Sequence, residues 1–162
     1  MTEPKIYVGI DPGQDGAIVI IHNDGQSVDA YPFTNFKDMF EVLKKLQNHP
    51  TFICIEKLWA MPIRGSMANF SLGGNYTAWK ALLEILGLSY VEAAPATWQP
   101  KILNTSKKKS AETKPLAIEY VNKRYPELGF TGKRAKDIKE YSGRADAICI
   151  ALYGKTVDLG IN

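Results

Sequence analysis

The chain has 162 residues, 45% of them apolar and 23% charged, which is the composition of a soluble globular protein with a substantial core. The sequence contains no apolar run long enough to cross a membrane and no signal-peptide pattern at its N-terminus. We therefore expect one domain over residues 1–162, located in the cytoplasm and not secreted. Cys54 and Cys149 are expected to be buried, reduced thiols rather than a disulfide.

The net charge of +3 hides an asymmetry along the chain. Residues 1–96 carry 7 Lys/Arg and 10 Asp/Glu, whereas residues 97–144 carry 12 Lys/Arg and 5 Asp/Glu. An acidic half that can hold cations is followed by a basic stretch that can meet a polyanion such as nucleic acid. The alternative is a solvated basic face on an ordinary enzyme.

Hydrophobic periodicity and turn residues predict an α/β protein that opens with three antiparallel strands and continues with alternating helices and strands. The fourth strand follows a helical crossover, so it should run parallel to the first in a mixed five-stranded sheet with helices on its faces. The predicted strands are Ile6–Ile10, Gly16–Ile21, Ser27–Tyr31, Phe52–Ile55 and Ser89–Ala93. The predicted helices are about Lys37–Asn48, Tyr76–Leu86, Thr113–Arg124 and Ser142–Tyr153, with a loop over Lys57–Asn75 and a turn or short helix at Pro95–Trp98.

Three acidic residues stand where this topology can bring them together. Asp11 and Glu56 each end an apolar strand, and parallel strands end at the same edge of a sheet, where open α/β sheets place their sites. Asp146 lies near the start of the last helix, which can pack against that edge. Carboxylates are costly to desolvate singly, and several together need cations, which indicates metal-dependent chemistry. The alternatives are a turn-capping Asp11, a surface Glu56 and an Asp146 that favours a helix N-terminus.

Several segments, in this order, resemble the RuvC-type Holliday-junction resolvases of the RNase H-like superfamily: Gly9-Ile10-Asp11-Pro12-Gly13, Ile55-Glu56-Lys57 and Gly143-Arg144-Ala145-Asp146-Ala147. The segments Ser71–Tyr76 and Pro95–Trp98 are most similar to the phage and plastid branch. The resemblance covers roughly residues 5–155. It implies an RNase H-like fold and a homodimeric, metal-dependent endonuclease in a bacterial or phage-infected cell. Such an enzyme would nick two opposed strands of four-way junction DNA during recombination or repair, without a nucleotide cofactor.

The resemblance implies that Asp11 touches two Mg²⁺ ions per active site, with Glu56 and Asp146 each holding one side, and we expect Mn²⁺ to substitute. Two such ions activate a water, clamp the scissile phosphate and relieve charge on the leaving oxygen. Mg²⁺ prefers oxygen ligands, which carboxylates supply and His or Cys do not.

The family usually has a further Asp or His shortly before the last carboxylate, and here the sequence departs from that pattern. Gly143 stands three residues before Asp146, so Glu140 is the first candidate for a fourth acid, followed by Asp137 and Asp15. The basic residue that relatives carry after the Pro-x-x-Trp tryptophan is also absent at that place. We therefore expect Lys101 to stabilise transition-state charge, or to be a phosphate-contacting or solvated lysine.

Large apolar residues in the loop after Glu56 suggest contact with DNA bases. Trp59 and Phe70 are the candidates for wedging or stacking, and Arg64 lies between them; either aromatic could instead pack on the core or in a dimer interface. The residues expected to contact phosphates are Lys107, Lys108, Lys109, Lys133, Arg134, Lys136, Lys139 and Arg144.

Three other functions remain compatible with the sequence. The chain could be a nuclease of the same fold that acts on other branched DNA or on RNA. It could be an inactive junction-binding module, because the fourth acid is uncertain. A sugar-kinase-like or actin-like ATPase half also begins with a strand, an Asp, a Gly and a hairpin, although that fold usually needs far more chain.

Overall fold

The computed structural model describes residues 5–59, 65–105 and 110–161. In this part of the chain, five strands form one sheet and five α-helices cover it, with a short 3₁₀ helix at Pro126–Leu128. The strands are β1 (Ile6–Asp11), β2 (Ala17–Ile21), β3 (Val28–Pro32), β4 (Thr51–Glu56) and β5 (Tyr90–Ala93). The helices are α1 (Phe36–Lys44), α2 (Ser66–Ile85), α3 (Pro95–Leu103), α4 (Ser110–Arg124) and α5 (Ala135–Asp158).

The strand order is β3-β2-β1-β4-β5, with β1 at the centre. Antiparallel pairing joins β1 to β2 and β2 to β3, whereas β4 runs parallel to both β1 and β5. The mixed sheet with three antiparallel opening strands is therefore confirmed. Its parallel part aligns the carboxyl ends of β1 and β4 at one edge.

Alternate residues of the central strands contribute side chains to two separate hydrophobic cores, one on each face of the sheet. Val8 and Ile10 point to the layer of α1 and α2, where Trp79 and Leu83 of α2 are fully buried. Tyr7 belongs to the opposite core, which is formed with α3, α4 and α5. The strand alternation therefore sends Gly9 and Asp11 to the α5 side of the sheet.

Glycines and alanines let α5 lie directly on the backbone of the sheet. A Cβ built at Gly9 would stand 1.9 Å from the carbonyl oxygen of Ala147 and 2.6 Å from the amide nitrogen of Ala151. A Cβ built at Gly143 would stand 1.9 Å from the carbonyl oxygen of Asp15. Because neither position can carry a side chain in this arrangement, the backbone of α5 is held close to β1 and to the β1–β2 turn.

Two helices begin earlier than the sequence predicted. Helix α2 begins at Ser66 rather than at Tyr76, so part of the predicted loop, including Phe70, is helical. The pair Gly73-Gly74 suggested a loop, but both lie on the exposed side, where Gly costs only about 1 kcal/mol relative to Ala, and the buried stripe through Trp79 offsets that cost.

The last helix begins at Ala135 rather than at Ser142. Its N-terminus is capped by the Asp137 carboxylate, which accepts from the Arg134 amide and from the Arg134 guanidinium. Ser142 is consequently a buried residue inside the helix and not its cap.

Smaller differences follow the same pattern of helices extending beyond their predicted ends. Pro95–Trp98 is the first part of α3, and α4 begins at Ser110, which places Pro115 inside the helix rather than in its first turn. Conversely, α1 ends at Lys44, and the chain continues to Pro50 in turns. Within the described residues, no helix is both long and apolar enough to span a membrane.

Both cysteines are free and buried, as predicted. Burial raises the pKa of Cys54 to about 12, and the pKa of Cys149 is also raised by burial. The two thiols are therefore protonated and unreactive at neutral pH.

Candidate active site

Asp11 is held at the end of β1 by the turn that follows it. Its carboxylate oxygen Oδ1 accepts a hydrogen bond of 3.0 Å from the amide of Gly13, and the amide of Gly16 bonds to the carbonyl of Gly13 at 3.0 Å. This local arrangement is an Asx turn, in which the Asp side chain accepts from the amide two residues later, and the sequence Asp-Pro-Gly favours it. It fixes one oxygen of Asp11 and leaves the other available for a ligand.

Glu56 occupies the corresponding place on the neighbouring strand. Ile10 pairs with Ile55 in the parallel ladder, so Asp11 and Glu56 follow at adjacent strand ends, where strands lie about 4.8 Å apart. The fully buried Trp98 of α3 donates its indole N–H to Oε1 of Glu56 at 3.0 Å. This bond orients the carboxylate and leaves Oε2 without a partner among the described residues.

Asp146 reaches the same place from α5. The residue after it, Ala147, meets Gly9 of β1 backbone to backbone, two residues before Asp11. Gly143, one helical turn before Asp146, rests on the β1–β2 turn. The glycines thus position the helix so that its carboxylate faces the ends of β1 and β4.

The pKa directions indicate that the three carboxylates lie within electrostatic reach of one another. Burial and the negative charge of Asp11 raise the pKa of Glu56 to about 8, although the Trp98 hydrogen bond lowers it. Burial, then Asp11, then Glu56 raise the pKa of Asp146 well above its ordinary value. Burial raises the pKa of Asp11, and the charge of Asp15 adds to the rise. Ionising all three groups together therefore needs added positive charge.

Lys114 on α4 is a cation that sequence reasoning did not single out. Its charge lowers the pKa of both Asp11 and Asp146, so its ammonium group lies near the carboxylates, although the residue itself is solvent-exposed. It belongs to the basic stretch, but nothing in the local sequence distinguishes it from the neighbouring lysines. The available signal was its position in the first turns of a helix predicted to follow a polar loop.

The donor set fits divalent metal ions without forming a finished metal cage. Among the described residues, no three His, Cys, Asp or Glu side chains stand together in ligating geometry. The three carboxylates nonetheless converge, repel one another and keep unpaired oxygens, which is the oxygen-rich anionic environment that Mg²⁺ and Mn²⁺ prefer. Binding would require side-chain rotations that bring these oxygens into ligating geometry.

The three candidates for a fourth acid have different surroundings. Asp137 is buried at the α5 cap, where its carboxylate bonds to the Arg134 guanidinium at 2.9 and 3.1 Å. Glu140 is exposed on α5 with Oε1 3.8 Å from Arg144. Asp15 lies in the β1–β2 turn and acts electrostatically on Asp11. Of the three, Asp15 is the acid whose charge raises the pKa of one of the three clustered carboxylates, that of Asp11.

The predicted basic residues are distributed over the α5 side of the molecule. Lys101 is exposed in the last turn of α3, and Lys133, Lys136 and Lys139 are exposed around the start of α5. The Arg134 guanidinium forms an ion pair with the Asp137 carboxylate but remains largely exposed. Arg64, Lys107, Lys108 and Lys109 lie outside the described residues.

Arg144 is held against two aromatic rings beside the site. Its guanidinium carbon lies 5.3 Å from the Phe130 ring centroid and 5.1 Å from that of Tyr141, and these rings stack at 5.0 Å. Its Nε is buried and has no hydrogen-bond partner among the described residues. Glu140, one helical turn earlier, lies 3.8 Å away, a separation that makes only a weak ion pair.

The two predicted base-contacting aromatics are exposed rather than packed on the core. Trp59 is 61% exposed, and the Lys57 ammonium lies 4.5 Å from its ring centroid. Phe70, on α2, is 79% exposed. In contrast, Trp79 and Leu83 of α2, and Leu86 after it, are buried in the core. The exposed pair is therefore available to a partner molecule.

The strand order and the flanking helices define a mixed α/β fold of the RNase H-like type. The solved structure of T. thermophilus RuvC in complex with a Holliday junction substrate has a TM-score of 0.64 to this chain, with 16% identity and 96% of each chain covered. A second Thermus thermophilus RuvC structure has a TM-score of 0.57, again with 16% identity and 96% coverage of each chain. No protein-family model matches the sequence, and no curated protein matches it. The chain therefore has a RuvC-type fold.

Proposed function

We propose that this protein is a divalent-metal-dependent endonuclease that resolves four-way DNA junctions by paired, symmetric nicks. The observation that carries the proposal is the convergence of Asp11, Glu56 and Asp146 at the edge of a RuvC-type sheet. Their raised pKa values follow from burial and mutual repulsion, which a bound cation would relieve. The fold similarity to a RuvC bound to a Holliday junction supports the choice of substrate.

In the proposed hydrolysis of a phosphodiester, the carboxylates would hold the metal ions, and the ions would supply the chemistry. When bound, two Mg²⁺ ions supply an activated water, a clamp on the phosphate and charge relief at the leaving oxygen. Asp11, Glu56 and Asp146 would hold the ions through the oxygens not engaged by Gly13 and Trp98.

Among the described residues, Lys114 supplies positive charge beside the carboxylates, where the scissile phosphate would bind. Its ammonium group acts on both Asp11 and Asp146, so a phosphate bound over these carboxylates would lie within its field. Charge that develops on the phosphate oxygens during cleavage would therefore be stabilised by a group already in place. Lys101, the residue predicted for this role, is not among the charges that shift the pKa values of the three carboxylates.

DNA binding would use the basic α5 side and the exposed aromatics. Lys133, Lys136 and Lys139 would contact phosphates in a salt-sensitive manner that reads little sequence. Arg144, supported by Phe130 and Tyr141, would meet the backbone close to the cut. Trp59 would contact bases at the junction, where stacking offsets the cost of opening base pairs.

Two symmetric cuts require two active sites related by a two-fold axis, so the proposed enzyme is a homodimer. The outward face of α2 is suited to this contact. Phe70 and Ile85 are 79% and 75% exposed there, beside a shallow groove lined by Gly73, Gly74 and Ala78. Small residues permit close approach of a second helix, and an exposed apolar face is costly unless it is covered.

The decisive experiment compares cleavage of a four-way junction with cleavage of a linear duplex of the same arms, in Mg²⁺, in Mn²⁺ and in EDTA. We expect paired nicks at symmetric positions in the junction only, dependent on metal, and lost in Asp11→Asn. Equal cutting of the duplex, splayed arms or RNA would instead favour a nuclease of the same fold with another substrate. Junction binding without cleavage in either metal would identify an inactive binding module.

A further inference from the structure

The indole of Trp98 is brought to Glu56 by the course of the chain after β5. Ala93, at the end of β5, pairs with Glu56 in the parallel ladder, and its carbonyl accepts from the Lys57 amide at 2.8 Å. Helix α3 begins two residues later at Pro95, a residue that suits the first position of a helix. Trp98 therefore lies near the start of α3, just beyond the strand end that carries Glu56.

Packing fixes the direction of the Trp98 N–H group. The side chain is fully buried in the core that α3, α4 and α5 form with the sheet, so turning the ring away would require its neighbours to move. The Nε1–H group donates to Oε1 of Glu56 at 3.0 Å, a normal length for such a bond. An indole N–H donates and cannot accept, so this bond holds one carboxylate oxygen and leaves the charge on the group.

A neutral donor does not cancel the charge of Glu56. Asp137, Asp158 and Glu92 each lie within 2.9 Å of a Lys or Arg nitrogen, which neutralises them inside the protein. Among the described residues, no Lys or Arg forms such an ion pair with Glu56. Trp98 thus satisfies part of the carboxylate's hydrogen-bonding need without supplying a counter-charge, and the negative charge remains for a bound cation.

Trp79 provides a comparison within the same protein. It is also fully buried, but its N–H has no acceptor among the described residues, and its ring packs against Phe33 and Phe36 in the α2 layer. This fold therefore accepts a buried indole that serves packing alone. The bond from Trp98 to Glu56 is a feature separate from the burial of a large ring.

We propose that Trp98 is a positioning residue of the active site, whose indole N–H holds Oε1 of Glu56 so that Oε2 is the oxygen presented to a metal ion. This inference rests on the proposed metal-dependent function and deepens it. Trp98 acts through Glu56 and contacts neither metal nor phosphate itself. Hydrogen-bond partners of metal-ligating side chains orient the ligand, and their loss typically weakens metal binding about 10- to 100-fold.

Mn²⁺ binding to the purified full chain without DNA, measured by calorimetry near neutral pH, tests this role. Trp98→Phe keeps an aromatic ring in the core and removes the N–H, and we expect it to weaken Mn²⁺ binding about tenfold or more. Trp79→Phe is the matched control, because it makes the same change in an equally buried ring, and its affinity should stay within twofold. In a Glu56→Ala background, Trp98→Phe should cause no further loss, since an effect that passes through Glu56 disappears with that side chain.

The indole ¹H–¹⁵N resonances give a second readout that needs no variant of Trp98. The chain has three tryptophans, so Trp59→Phe and Trp79→Phe assign the remaining signal to Trp98. This signal should move upfield in metal-free Glu56→Ala, where the hydrogen bond is lost, and should shift in the wild type as Mg²⁺ saturates the protein. The Trp79 signal should change in neither case, because its ring packs on the other face of the sheet.

The outcomes separate this inference from the proposed function. If the wild type binds Mn²⁺ and Asp11→Asn abolishes binding, but Trp98→Phe binds within twofold of the wild type, the inference is overturned and the metal site stands. Equal losses in Trp98→Phe and Trp79→Phe, or a Trp98→Phe loss that persists in Glu56→Ala, would assign the effect to packing and also overturn it.

The resonance of Trp98 decides the matter where a variant does not fold or binds too weakly to measure. A Trp98 signal that responds neither to Glu56→Ala nor to Mg²⁺ would overturn the inference, and a signal that responds to both would support it. If the wild type binds neither metal, the proposed function fails and this inference fails with it.

Discussion

The two helical layers cover the same sheet in different ways. On one face, glycines at the contact bring α5 against the sheet backbone to backbone, as at Gly9 and Gly143. On the other face, α2 buries a stripe that includes Trp79 and leaves Phe70 and Ile85 exposed. The first layer has no room at its contact for an added methyl group, whereas the second keeps apolar side chains that no other described residue covers.

The difference separates two requirements of the proposed enzyme. Carboxylates that share metal ions must be held at fixed separation, and a helix seated on backbone cannot slide without breaking many contacts at once. Association with a second chain or with DNA bases requires apolar surface that the monomer leaves uncovered. We call the α5 side of the sheet the closed layer and the α2 side the open layer. In the proposed enzyme, the closed layer fixes the carboxylates, and the open layer leaves apolar surface for a second chain.

The largest loss of stability is expected from adding a methyl group where α5 contacts the sheet, in the closed layer. Gly9→Ala should reduce the free energy of unfolding by about 3 kcal/mol or more, because its Cβ would stand 1.9 Å from the Ala147 carbonyl oxygen and the helix would have to retreat. Gly73→Ala is the matched change in the open layer, where nothing lies within 4 Å of the added Cβ. It should stabilise the monomer by about 0.5–1 kcal/mol through helix propensity.

Urea denaturation of both variants, at a concentration where the chain is monomeric, provides the measurement. Similar losses of stability in the two variants would contradict the distinction between the layers. A refolded Gly9→Ala protein should also lose metal-dependent cleavage, since retreat of α5 carries Asp146 away from Asp11.

A second effect of a few kcal/mol is expected from pH in the absence of metal. The folded pKa of Glu56 is raised to about 8, from an ordinary value of 4.5 that applies in the unfolded chain. Between these values the folded state binds more protons than the unfolded state, so stability is highest near pH 5 and falls as pH rises towards 8. Asp11 and Asp146 act in the same direction.

Denaturation at pH 5, 6.5 and 8 in EDTA measures this dependence. Asp146→Asn should flatten it, Glu140→Gln should leave it unchanged, and added Mn²⁺ should restore stability at pH 8. A free energy of unfolding that stays constant or rises from pH 5 to pH 8 in EDTA would show that the carboxylates are not crowded together.

Replacing Lys114 tests the positive side of the closed layer. Lys114→Ala should reduce single-turnover cleavage of the junction by about 10- to 100-fold, because one preorganised charge near the phosphate is lost. Lys101→Ala should have a smaller effect on the rate and should mainly weaken DNA binding at higher salt. Equal rate losses, or a loss in Lys101→Ala alone, would return the role to Lys101.

The central strands were the easiest part of the fold to predict from the sequence. Continuous β-branched and aromatic runs indicated β1 and β4, and the parallel crossover placed Asp11 and Glu56 at one edge of the sheet. The order of strands in a sheet follows from few rules, so two local patterns sufficed to bring two distant residues together. Asp146 was correctly predicted on an apolar helix, but that helix begins at Ala135, so Asp146 lies in its middle and not near its start.

The features that the sequence did not reveal depend on tertiary contacts. Helix α2 extends through Gly73-Gly74 because its opposite side is buried, which local propensity does not report. Lys114 resembles every other lysine of the basic stretch until α4 is packed against α5. The hydrogen bond from Trp98 to Glu56 likewise joins residues 42 positions apart, and only the assembled fold brings them together.

The smallest effect on stability, and the clearest sign of an open layer, is expected at Phe70. Phe70→Ser should change the free energy of unfolding of the monomer by less than about 0.5 kcal/mol, because the side chain is already 79% exposed. If α2 forms the dimer interface, the same substitution should shift the protein from dimer to monomer in light scattering and abolish paired nicks while leaving metal binding intact.

Trp59→Ala is the comparison: loss of the Trp59 ring should weaken junction binding, since stacking on a base contributes about 1–3 kcal/mol, without changing the oligomeric state. A Phe70→Ser protein that remains dimeric but binds the junction less tightly would instead move Phe70 to the DNA interface and leave the outward face of α2 without its proposed partner.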